Sequence, residues 1–137
     1  MSAKTSVLRG PKDLVTKTRN VTRSMTTGTA LCTLPKGSRI LGIVINGVAS
    51  DAGTSATLSF GNTATATEYV NGADVKTAAS GVGPTWLAGV SGVLGTVLTA
   101  ETTIYAIYAE TGTASNAGSW KATVIYTTGN AINDTTI

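Results

Sequence analysis

The sequence predicts an all-β protein, a two-sheet antiparallel sandwich with an extended N-terminal arm. Three observations carry that prediction. Charged residues make up 12 % of the 137 residues, and Thr, Gly and other small side chains dominate over Glu, Gln, Lys and Leu, a composition suited to pleated strands rather than helices. About seven to nine short runs of β-branched or aromatic residues recur between turn formers, without a helical period. The densest run, Arg39-Ile40-Leu41-Gly42-Ile43-Val44-Ile45-Asn46-Gly47, is apolar enough on both faces to lie in the middle of a sheet. A single domain of this length buries roughly two thirds of its unfolded surface and folds without disulfides. Jelly-roll and immunoglobulin-like strand orders both fit the pattern.

Taken in order, residues 1–28 form a basic arm, 29–128 the sandwich and 129–137 a short polar tail. Gly10-Pro11 breaks any regular element in the arm, and Leu14 to Thr22 is β-prone enough to serve as a first or edge strand. Thr29 to Leu34 is expected to form a hairpin with the central run through Leu34-Pro35-Lys36-Gly37, Pro35 taking the second turn position and Gly37 the last. Ser55 to Gly61 places Ala56, Leu58 and Phe60 on one face. Asn71-Gly72 is expected to be a type I′ hairpin turn between Glu68-Tyr69-Val70 and Ala73 to Thr77.

Residues 78–95, with five glycines, Pro84 and Trp86, read as a long irregular connection of the kind that is functional or covered by a partner. Thr102 to Ala109 and Ser119 to Thr127 are the closing strands. In the second, Trp120, Ala122, Val124 and Tyr126 share a face.

The chain has one cysteine, Cys32, and no histidine. Disulfide frameworks, Cys/His zinc sites and His-dependent nucleophile systems are thereby excluded. Cys32 reads as a small buried hydrophobe. The glycines fall in no phosphate-cradling pattern, and Asp51-Ala52-Gly53-Thr54 lacks the alternating oxygen ligands of a calcium loop. Asp51, Glu68, Asp74, Glu101 and Glu110 have no catalytic spacing and read as solvated charges. No catalytic residue, cofactor or metal is expected, and the protein is read as a non-enzyme. The N-terminus has no apolar signal core and no apolar run reaches eighteen residues, so synthesis in a cytoplasm and no membrane span are expected.

Charge is divided unevenly. Residues 1–39 hold eight of the ten basic side chains and one acid, a net +7, whereas the remainder holds two bases and six acids, a net −4. The arm bases Lys4, Arg9, Lys12, Lys17, Arg19 and Arg23 are therefore candidates for contact with an acidic protein surface. They include no aromatic and no groove-reading helix pattern, which argues against direct nucleic-acid binding. Trp86 is the candidate oligomer or ligand contact. Trp86 with Trp120 also leaves a carbohydrate-binding module open.

Leu34-Pro35-Lys36-Gly37-Ser38-Arg39-Ile40, the loop Ser50 to Leu58, Glu68-Tyr69-Val70, and Ile104 to Ala109 with Gly112 and Lys121 to Tyr126 resemble small virion proteins of tailed bacteriophages, in particular capsid cement or decoration proteins. The resemblance spans residues 28–128 and leaves the arm unmatched. It implies a β-sandwich, often a jelly roll, that sits as a homodimer or homotrimer on the outer capsid surface where major capsid protein subunits meet. Another virion part, such as a tail, fibre or head–tail connector module, is the rival reading.

Overall fold

A computed structural model of the chain describes residues 14–76, 85–86 and 96–128. Among the described residues there is no helix, and eight strands follow one another: β1 (Leu14–Thr22), β2 (Thr29–Leu34), β3 (Arg39–Val48), β4 (Ser55–Gly61), β5 (Val70–Asp74), β6 (Thr85–Trp86), β7 (Thr102–Thr111) and β8 (Ser119–Thr127). Pairing follows a simple rule. β1 pairs with β8, β2 with β7, β3 with β6 and β4 with β5, all antiparallel, which is one long hairpin made of the whole chain. Rolling that hairpin on itself sets β3 against β8 and β4 against β7. The result is two four-stranded sheets, β1-β8-β3-β6 and β2-β7-β4-β5, the wrap of a jelly roll. The choice between jelly-roll and immunoglobulin-like orders is thereby made.

The core lies between the sheets. Ile40, Ile43 and Ile45 of β3, with Trp120, Ala122, Val124 and Tyr126 of β8, face Ala56, Leu58 and Phe60 of β4 and Ile104, Ala106 and Tyr108 of β7, all buried. The faces expected for β4 and β8 are those observed. β3 is interior as expected, and one irregularity fits it to the core. Its register shifts between Ile40 and Gly42, so Ile40 and Ile43 both point inward although they are an odd number of residues apart, while Leu41 is thrown out to 49 % exposure. Cys32 is buried on β2, and burial pushes its thiol pKa up against the opposing pull of Lys17 and Arg19.

Two expected hairpins are replaced by other structures. β2 and β3 do not pair; they belong to opposite sheets, and Leu34 to Arg39 is a crossing. Ser38 N–H donates to the Pro35 carbonyl at 3.2 Å, making Pro35 the first turn residue and Gly37, at φ 90°, the third, the position that favours positive φ. Leu34 and Ile40 are both buried, so the turn delivers consecutive strands to facing sheets. Leu98 holds it there: Gly37 N–H donates to its carbonyl at 2.7 Å, and its N–H to the Ser38 carbonyl at 2.8 Å.

Asn71-Gly72 is not a turn either. Phe60 stands opposite Val70 and Leu58 opposite Ala73, so Asn71 and Gly72 together oppose Ser59, and the positive φ of Gly72, 77°, serves a bulge in β5. The β4–β5 connection runs instead through residues 62–69. There the Glu68 carboxylate takes the Asn62 N–H at 2.9 Å and the Thr63 and Thr65 hydroxyls at 2.8 and 3.2 Å.

Candidate interaction surface

Lys4, Arg9 and Lys12 lie outside the described residues. Lys17 and Arg19 stand on β1, within the stretch read as an arm, and β1 is the edge strand of its sheet. β2 is the edge of the facing sheet on the same side. Lys17 Nζ donates to the Thr33 carbonyl at 2.6 Å, and Arg19 Nε to the Leu31 carbonyl at 3.1 Å, while an Arg19 Nη reaches the Thr18 carbonyl at 2.9 Å. Edge strands expose main-chain groups that invite pairing with other chains. Here two cations from one sheet occupy carbonyls along the edge of the other, which closes this side of the sandwich.

Arg23 works at the end of the sandwich. Its guanidinium donates to the Ser115 and Asn116 carbonyls at 2.6 and 3.2 Å, tying the segment after β1 to the β7–β8 loop. The carboxylates there are not simply solvated. Asp51 accepts the Asn116 and Ala117 N–H groups at 2.7 and 3.0 Å. Glu110 accepts the Ser115 hydroxyl at 2.6 Å, the Tyr108 hydroxyl at 2.8 Å and the Ser115 N–H at 3.1 Å. A phenol carries one proton, so with that proton on Glu110 the Ser50 hydroxyl, 2.8 Å away, donates to Tyr108.

These bonds favour the ionised acids. The amides of Ala117 and Asn116, then Arg23, hold the Asp51 pKa below its ordinary value. The Ser115 and Tyr108 hydroxyls, the Ser115 amide and then Arg23 do the same for Glu110. At Glu68 burial opposes ionisation, but the Thr63 hydroxyl and the backbone amides around it outweigh burial and lower the pKa. The three carboxylates are loop organisers, a role the sequence reading did not assign. The faint signal was their company of Ser, Thr and Gly in loops, since an acid beside small turn residues finds backbone N–H groups within reach.

Trp120 is buried and stacks on Tyr108, with centroids 5.4 Å apart and planes at 29°, so it offers no platform to a sugar ring. On β6, Trp86 stands opposite Val44 and Thr85 opposite Ile45, and the rest of residues 78–95 lies outside the described set, as does the tail 129–137.

Among the described residues, the outer face of the β1-β8-β3-β6 sheet is an exposed surface. Towards one end it is polar and nearly neutral: Thr18 and Thr123 share a hydroxyl bond at 2.9 Å, Lys121 Nζ donates to the Asn20 amide oxygen at 3.0 Å, and a hollow of about 470 Å³ is lined by Asn20, Asn46, Val48, Ser119 and Lys121 among others. That lining contains no carboxylate. At the other end, register sets Leu14, Thr127, Arg39 and Val97 in one row. Leu14 is 62 % exposed, and Leu41 and Val97 are exposed nearby. Among the described residues no group of three or more potential ligands gathers to hold a metal ion.

The chain matches no protein-family profile and no curated protein. Among solved structures, a chain of the cyanophage Pam1 capsid asymmetric unit aligns over 90 % of this chain and 91 % of its own length, with a TM-score of 0.61 and 23 % sequence identity. At that identity the likeness is one of fold.

Proposed function

We propose that the chain is a structural protein of a bacteriophage virion, and specifically a cement or decoration protein that binds the outer surface of the head where major capsid protein subunits meet. The observation that carries the reading is the end-to-end correspondence of fold with a chain of a cyanophage capsid unit. The residues support it. The described surface includes a hydroxyl-rich sheet face, exposed apolar side chains at Leu14, Leu41, Val48 and Val97, and hydrogen-bonded loops, features that suit contact with a partner.

Attachment on this reading is lateral and repeated. Lys17 and Arg19 cover the β2 edge and a bulge with Asp74 beside it interrupts the β5 edge, so at these two edges of the β2-β7-β4-β5 sheet contact by faces and loops is favoured over strand addition. Repetition over the lattice, in homodimers or homotrimers, multiplies modest affinity. Lys17, Arg19 and Arg23 are engaged with carbonyls of the body, and Lys4, Arg9 and Lys12 are on this reading the arm bases that meet acidic capsid surface. No catalytic role and no cofactor belong to the reading.

The test is removal of residues 2–12, which stops short of β1. The shortened protein should keep its unfolding midpoint and lose salt-sensitive binding to heads that lack the native protein. Unaltered binding would remove the arm from the mechanism, and attachment to tails instead of heads would favour the rival virion location.

A further inference from the structure

The sequence contains two Asn-Gly dipeptides, Asn46-Gly47 and Asn71-Gly72. In such a pair the glycine nitrogen can attack the asparagine side-chain amide, because glycine places no side chain in the path and lets the backbone turn toward it. The fold treats the two pairs differently.

Asn46 and Gly47 lie in uninterrupted pairing of β3 with β8, opposite Lys121 and Trp120. Gly47 is seated so closely that a Cβ there would collide with the Ser119 carbonyl and the Trp120 Cα. Turning that peptide would break the ladder of an interior strand. Asn71 and Gly72 are both exposed, on an edge strand, in a bulge where they oppose Ser59. Gly72 has φ 77° and no atom within 4 Å of where a Cβ would stand. Its N–H donates to Ser59 Oγ at 2.9 Å, and that bond must open before the nitrogen can swing toward Asn71 Cγ.

We propose that Asn71 is a site of spontaneous deamidation in the folded protein, restrained by Ser59, and that Asn46 is locked against the same reaction. In the first step Gly72 N loses its proton and bonds to Asn71 Cγ, the Cγ–Nδ2 bond breaks, and ammonia leaves carrying that proton. Water then opens the cyclic imide at either carbonyl and leaves aspartate or isoaspartate. Water is consumed and ammonia released; no oxidant or reductant takes part. Each event replaces a neutral amide by a carboxylate on the strand that ends in Asp74, taking the formal charge from +3 to +2. Because the pair sits in a bulge, the extra backbone atom of isoaspartate falls where the ladder is already interrupted. The inference is independent of the shell reading, since it depends only on β4, β5 and the pairing of β3.

The experiment is prolonged incubation of the full chain in mildly alkaline buffer, with peptide mapping by mass spectrometry for the small mass gain at each asparagine, alongside the same chain in denaturant. In denaturant both asparagines should convert at similar rates. In the folded chain product should accumulate at Asn71 and not at Asn46, and Ser59→Ala should raise the Asn71 rate about fivefold, the effect of freeing one ordinary hydrogen bond. Equal conversion at the two sites in the folded chain, or conversion at Asn71 only after unfolding, would overturn the proposal. An unchanged rate in Ser59→Ala would overturn the restraint assigned to Ser59.

Discussion

Replacing Lys17 and Arg19 together by Met separates two uses of the basic N-terminal region. Methionine keeps an apolar stem over the seam but removes the donors. The Lys17 bond to the Thr33 carbonyl and the Arg19 bond to the Leu31 carbonyl link the edges of opposite sheets, and each is charge-assisted. Hydrogen bonds to charged groups contribute about 1.5–3 kcal/mol when sheltered, but Arg19 is exposed and Lys17 half-exposed, so solvent reduces this to about 1–2 kcal/mol for the pair. For a domain of this size that loss lowers the unfolding midpoint by about 3–8 °C. Calorimetry and urea titration of the double variant check the number. The variant should also aggregate faster, because the β2 edge is left uncovered, while its capture by phage heads should persist. Unchanged stability combined with lost capture would refute the assignment and return both side chains to partner contact.

Other consequences follow from the same structure. Phe60 is fully buried in the inter-sheet core, so Phe60→Ala should cost about 3–5 kcal/mol in denaturant unfolding. Gly118→Ala should destabilise more than Gly72→Ala: both positions have positive φ, but a Cβ at Gly118 lies 2.8 Å from the Trp120 ring whereas Gly72 has open space, and paired melting curves compare them. Acid should weaken the fold through Asp51, Glu68 and Glu110, whose folded pKa values are lowered. Their stabilisation is present above the unfolded carboxylate value, about pH 4, and is lost as pH falls through the lower folded values. Glu110→Gln should therefore lower stability at neutral pH and flatten the acid limb of the stability curve, read by chemical denaturation across pH.

The parts of the fold legible in the sequence were those with a local cause. Alternation marked the buried faces of β4 and β8, because period two is a property of the strand itself. The run from Arg39 announced an interior strand, although its bulge at Leu41 left no trace, since register is set by the partner and not by the run. The two turn errors have one origin. Pro35 to Gly37 and Asn71-Gly72 were correctly read as places where the chain takes unusual φ, but a positive φ serves a crossing or a bulge as well as a hairpin, and only strand pairing decides which: β2 with β7 and β3 with β8 at the first, β5 with β4 at the second. The candidate surface was harder still. Lys17 and Arg19 look like any solvated arm charges until β1 and β2 are known to lie on the same side of facing sheets. Trp120 reads first as a core side chain because it sits in a strand, and its burial with Tyr108, twelve residues earlier, stacked against it bears that out and removes the ligand-platform alternative.

The measurement that bears most directly on the central claim is co-sedimentation of the full chain with phage heads that lack it, at low and high salt. Saturable binding that weakens as salt rises is the predicted result, with bound copies raising the heads' resistance to heat. Absence of binding at both salt concentrations would contradict a shell-stabilising role.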